Sequence, residues 1–186
     1  MSDAKPTGPA YLPGDPPPKE RLKRIVRVDQ AGEFGAVRIY AGQKAVLRHG
    51  PEAEAVREMA DQEKQHLETF DRIVAERRVR PTVLGPLWQV AGYALGATTA
   101  LIGPKAAMAC TVAVEDVIDE HYAKQLNVLG ADEPELRATI AEFRDDELEH
   151  RNTGLAHGAE DAPAYPALSA AIKTGSRVAI WLSERF

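Results

Sequence analysis

The chain has 186 residues, with 23 Lys plus Arg against 28 Asp plus Glu and a formal net charge of -5. That length suits one domain with a core of its own, and the acidic balance argues against a nucleic-acid partner, whose affinity rests on basic contacts to phosphate. A single cysteine, Cys110, excludes an intramolecular disulfide and reads as a small buried hydrophobe.

Residues 1–20 are rich in proline and hold no apolar run. They read as a solvated, extended leader, unlike a secretory signal or an Arg- and Ser-rich mitochondrial presequence, which leaves residues 21–186 as the folded domain. The first helix carries Val26, Gln30, Glu33, Val37 and Tyr40 at the four-three spacing of a buried stripe. Gly50-Pro51 closes it and opens a second, with Val56, Met59, Glu63, His66, Phe70 and Ile73 on its stripe and Pro81 as its end. From Pro81 to Pro104 there is no charge in 24 residues, and "RRVR" (Arg77–Arg80) stands just before. This length would span a bilayer, whereas Gly85, Pro86, Gly92 and Gly96 weaken a lone lipid-facing helix and permit close packing. A span, a buried core helix and a helix half-sunk in the membrane surface all fit; the basic flank favours the last.

A fourth helix presents Met108, Val112, Glu115, Ile118 and Tyr122, and a fifth, opened by Pro134, presents Leu136, Ile140, Phe143, Glu147 and His150. A loop follows residue 157, and Ser169 to Phe186 reads as the last helix. No sustained alternation or hairpin turn signals a strand. The expected fold is all-α, a four-helix bundle core with extra helices at a membrane surface.

The helices repeat. Glu33, Tyr40, Ala41 and Gln43 recur at identical offsets as Glu115, Tyr122, Ala123 and Gln125, 82 positions later; "EKQH" (Glu63, His66) follows the first set and "ELEH" (Glu147, His150) the second. Four carboxylates and two imidazoles thus sit on apolar stripes, with no comparable set of buried lysines or arginines to meet them. Each unpaired carboxylate would cost several kcal/mol or protonate, so compensating cations are required. One Glu from each of two helices and a Glu-x-x-His from each of two others is the ligand pattern of bundles that hold two irons or two manganese ions, and oxygen-rich donors without thiolate favour those metals over zinc.

The expected ligands are therefore Glu33, Glu63, His66, Glu115, Glu147 and His150, with Glu63 and Glu147 bridging. Asp146, four before His150, is expected to accept that ring's free N–H, and Gln62 to do the same for His66. Tyr40 and Tyr122 stand two turns beyond Glu33 and Glu115, where a phenol reaches a metal-bound carboxylate, lines the cavity or simply packs; His121 is a weaker candidate. Such a centre can activate O2, and the uncharged segment favours a lipid-soluble substrate over the alternative, a ferritin- or rubrerythrin-like protein that handles iron or peroxide.

The stretches "VDQAGEFGAVRIYAGQ", "EMADQEKQHLETF", "PLWQVAGYALGATTALIG", "AMACTVAVEDVIDEHY", "DDELEH" and "APAYPALSAAIKTGSRVAIWLSERF" resemble the demethoxyubiquinone hydroxylase family of the Coq7 type, from about Arg24 to Phe186 and with no departure at the six ligand positions. The resemblance implies a ferritin-like di-iron monooxygenase that uses O2 to hydroxylate the ring of a polyprenyl quinone or quinol in ubiquinone biosynthesis, with NADH a proposed reductant. It also implies a peripheral membrane protein working beside other ubiquinone-biosynthesis proteins. The leader's lack of a presequence favours the cytoplasmic face of a bacterial inner membrane over the matrix face of the mitochondrial one. Homo-oligomer formation is compatible with this reading, and no Gly-rich nucleotide loop is visible.

Overall fold

The computed structural model describes residues 17–131 and 133–186. Its helices are α1 (Pro18–Val46), α2 (Pro51–Glu76), α3 (Gly85–Ile102), α4 (Pro104–Val128), α5 (Pro134–Ala156) and α6 (Tyr165–Ser183), with a 3-10 turn at Ala159–Asp161 and no strand among the described residues. Each α-helix carries a proline in its first two positions, where the missing N–H costs nothing and the fixed φ suits helix entry.

Three boundaries differ from expectation. α1 begins at Pro18, inside the stretch assigned to the leader; the rest of that stretch, residues 1–16, lies outside the described residues. α2 ends at Glu76 rather than at Pro81, through Arg77 and a left-handed Arg78 (φ 51°). α6 starts at Tyr165, four residues before Ser169, because Pro166 opens a helix as well as it marks a loop.

The antiparallel hairpins α1–α2 and α4–α5 form the four-helix core, an all-α, ferritin-like bundle; α3 lies along α1 and α6 along α4. Glycine sets the closeness of α3: a Cβ on Gly42 would overlap the Tyr93 carbonyl, and one on Gly96 the Ile39 carbonyl. Only glycine allows backbones so near. α1 is therefore covered on two sides. Its face towards α4 buries Asp29 and Gln43, which meet Gln125 and the Ala107 carbonyl, whereas Gln30 is only half-buried and donates to Asp71 at 2.9 Å.

Two of the three apolar clusters fill the bundle on either side of its middle. One gathers Val56, Met59, Met108 and Val112; the other gathers Val26, Phe70, Ile73, Leu136, Ile140 and Phe143. The glutamates and histidines of the bundle lie between these two plugs, which exclude water from both directions. Cys110 is fully buried, and burial pushes its thiol up to about 12.

Candidate metal centre

α1, α2, α4 and α5 bring all six expected ligands together. Ligand atoms of Glu33, Glu63, His66 and Glu147 lie within 4.8 Å of one another, and so do those of Glu63, Glu115, Glu147 and His150. Glu63 and Glu147 belong to both groups. All six residues are 2 % exposed or less, and no Lys or Arg is buried among the described residues.

The donor set fits cations. Both oxygens of Glu63, one each of Glu115 and Glu147, and Nδ1 of His66 are buried without a hydrogen-bond partner. Nδ1 of His150 stands 3.1 Å from Glu63 Oε1, and Nδ1 of His66 stands 3.3 Å from Glu147 Oε1, yet neither of these oxygens is hydrogen-bonded. Within the cluster His150 Nδ1 does meet Glu147 Oε2 at 3.1 Å, but the lone pairs left over converge without partners, an arrangement a cation satisfies.

The outer ring nitrogens are anchored, but crosswise to expectation. His66 Nε2 meets Asp146 Oδ2 at 3.0 Å and His150 Nε2 meets Gln62 Oε1 at 3.0 Å. A partner four residues away on the same helix was expected; instead each ring reaches the facing helix, since α2 and α5 pack side by side and both imidazoles point across their interface. Donation from Nε2–H leaves the Nδ1 lone pair facing the cluster. Phe143 stacks on His66 with ring centroids 3.9 Å apart, a support the sequence could have suggested only through its place on the α5 stripe.

The tyrosines also cross between repeats. Tyr40 donates to Glu115 Oε1 at 3.1 Å, and Tyr122 donates to Glu33 Oε1. Burial and the surrounding carboxylates hold both phenols well above their ordinary range, so they remain donors. Burial likewise raises Glu33, Glu63 and Glu115. Burial would raise Glu147 too, but His150 and His66 outweigh it and bring it to about 2. Burial alone would lower both imidazoles; Glu147 with Glu33 lifts His66 to about 11, and Glu147 with Glu63 lifts His150 to about 9. Without metal, the site thus stores protons where a cation's charge belongs.

On the outer side of α1 and α4 lies an open cavity of about 350 Å³, walled by α3 and α6. Gly32, Gly35 and Ala36 line it within a turn of Glu33, as do Val114 and Ile118 beside Glu115. A Cβ on Gly32 or Gly35 would meet open space. The two helices that wall it carry exposed apolar side chains: Leu87, Val90, Leu101 and Ile102 on α3, Val178 and Trp181 on α6. No described helix is long and apolar enough to cross a membrane.

Sequence reasoning passed over one buried cluster. Asp29 is 2 % exposed and accepts from Gln125 Nε2 at 2.6 Å, and the same amide nitrogen lies 2.7 Å from His121 Nε2. Asp29 lies three residues after Val26 and four before Glu33, on the same face of α1, and its buried partners Gln125 and His121 come from α4.

Fold and site together define a helical carboxylate protein built to hold metal in a dry core. The match to known proteins narrows the class: the family model described as "Ubiquinone biosynthesis protein COQ7" covers residues 20–183, and the chain belongs to that family. It is 61% identical over 175 residues to a Rhodospirillum rubrum protein named 3-demethoxyubiquinol 3-hydroxylase, covering 94% of this chain and 82% of the relative. It is 55% identical over 168 residues to the human "NADPH-dependent 3-demethoxyubiquinone 3-hydroxylase, mitochondrial", covering 88% and 77%, and 48% identical over 181 residues to the yeast "5-demethoxyubiquinone hydroxylase, mitochondrial", covering 88% and 78%.

Proposed function

We propose that this chain is a di-iron monooxygenase that hydroxylates the ring of a demethoxyubiquinol in ubiquinone biosynthesis. The observation that carries the reading is the pair of buried ligand groups sharing Glu63 and Glu147, set behind an apolar cavity. His66, Glu33 and the two shared glutamates would hold one iron, and His150, Glu115 and the same two glutamates the other. Irons held there would supply O2 activation in a site from which water is excluded.

The chain's own residues do the rest. Asp146 and Gln62 fix the imidazoles, and Tyr122 and Tyr40 steady Glu33 and Glu115 by donating to them. Small residues on α1 make room for a planar ring in the 350 Å³ cavity, with the ring presented between Glu33 and Glu115. The polyprenyl tail leaves along the exposed apolar flanks of α3 and α6. Those flanks dock on the membrane, and Arg78 and Arg80, exposed at the foot of α3, meet anionic headgroups. Reducing equivalents come from a nicotinamide nucleotide, in keeping with the "NADPH-dependent" names of the eukaryotic relatives.

O2 uptake by the iron-loaded protein tests this reading. Sustained uptake and a hydroxylated product only when demethoxyquinol and reductant are both present support it. Equal uptake with ferrous iron alone points instead to iron handling of the ferritin kind.

A further inference from the structure

Asp29 is a buried carboxylate that the metal-centre reading does not use. It sits one turn before Glu33 on α1, about 6 Å away along the helix face. Its Oδ2 is buried without a hydrogen-bond partner, as is Oε1 of Gln125. His121 Nε2 stands 3.5 Å from Asp29 Oδ1, and the His121 side chain is 15% exposed. It opens on a groove of about 290 Å³ between α4 and α6. The charged groups facing that groove are Glu120 and Lys124 of α4, Arg177 of α6 and Glu184 just beyond its end, with Arg177 paired to Glu120 at 3.2 Å. A continuous polar line thus runs from the surface to within one helical turn of Glu33.

The internal repeat supplies the control. Positions 82 apart put Thr111 opposite Asp29, Ile39 opposite His121 and Gln43 opposite Gln125. In that second half Gln43 donates to the Ala107 carbonyl at 3.1 Å, Ile39 packs against apolar neighbours, and the Tyr40 hydroxyl is backed by Met59 Sδ at 3.7 Å. It shows that the bundle closes with Thr and Ile at these places. A carboxylate whose burial costs free energy is therefore not needed for packing.

We propose that His121, Gln125 and Asp29 form a proton-entry line serving only the Glu33–Tyr122 half of the centre. The inference rests on the monooxygenase reading. Hydroxylation of a ring C–H takes one O2, two electrons and two protons and yields the phenol and one water. The electrons come from a nicotinamide or quinol reductant; the protons must cross the apolar shell. His121 takes a proton from the groove at Nδ1 and releases the one on Nε2 to Asp29 Oδ1. One bridging hydroxyl or water carries it over the remaining turn. Burial favours the protonated form of Asp29, and half a turn of the Gln125 amide offers Oε1 to the same two partners. Gln125 thereby suits Asp29 whether charged or protonated and acts as a positioning residue.

Hydrogen peroxide separates this from a structural role, because it brings both electrons and both protons with the oxygen. In the iron-loaded enzyme, Asp29→Asn is expected to slow turnover with reductant and O2 by roughly tenfold or more. Iron content should be unchanged and peroxide-driven hydroxylation kept within about twofold of the unsubstituted protein. His121→Ala should behave alike and regain rate with added imidazole. In the metal-free protein, infrared spectra should show a carboxylic-acid band titrating above the ordinary Asp range and missing from Asp29→Asn. Parallel loss with O2 and with peroxide, loss of iron, no rescue, or no such band would overturn the relay. Absence of hydroxylated product from the unsubstituted protein with either oxidant would overturn the monooxygenase reading itself.

Discussion

In the middle of the bundle Glu63 and Glu147 have no exposed surface, while on α3 Val90 is 67% exposed and Leu101 74%. The two regions break the ordinary partition of polar and apolar groups in opposite directions, and each inversion names what is needed from outside the chain. Carboxylates with orphaned oxygens in a dry core call for cations. Exposed apolar side chains on the helices that wall a cavity suit the proposed docking on a lipid phase. In this account the cavity joins them: what the outer face admits, the inner seam oxidises.

The comparison breaks most completely if the inner seam loses a shared ligand. Glu63→Ala is expected to drop iron from about two per chain to below one and to end hydroxylation, while vesicle binding persists; metal analysis beside a flotation assay reads both. The converse variant, Val90→Asp with Leu101→Asp, should leave iron in place. Burial of each such side chain is worth about 1.5–3 kcal/mol, so vesicle affinity should fall by roughly a hundredfold or more. Removing the support of an imidazole comes next: Asp146→Ala should weaken iron binding roughly 10- to 100-fold and should disturb His66 rather than His150, which NMR of the two rings distinguishes.

The smallest effect is on metal-free stability. His66 at about 11 and His150 at about 9 lie above an ordinary 6.5, so their protonated forms stabilise the fold fully below pH 6.5. That contribution fades as pH rises through 9 and 11. The raised Glu63 and Glu115 act in the same sense from 4.5 upward. Glu147, at about 2, has the opposite sign, but its contribution is lost only as pH falls from 4.5 towards 2. Urea midpoints of the metal-free protein should therefore decline from pH 6.5 to 9, whereas those of the iron-loaded protein should stay level, since cations replace the stored protons.

Much of this was legible from spacing. Glu63 and His66 share a stripe with Met59 and Phe70, and the same rule gave Glu147 and His150, so convergence followed once two helix pairs were seen to repeat. Gly92 and Gly96 announced close packing of α3, though only the fold shows α1 as its partner. What spacing could not supply was contact between helices. Spacing points to Asp146 and Gln62 as anchors but pairs each with the histidine of its own helix, whereas in the fold each meets the ring of the facing one. Asp29 escapes for a related reason: spacing puts it on the face of Val26 and Glu33, but only the fold supplies Gln125 and His121 of α4 as its partners.

Iron anomalous scattering from crystals of the loaded protein tests the central claim most directly. Two peaks per chain are expected, one among Glu33, Glu63, His66 and Glu147, the other among Glu63, Glu115, Glu147 and His150. A single peak, peaks elsewhere, or none would contradict it.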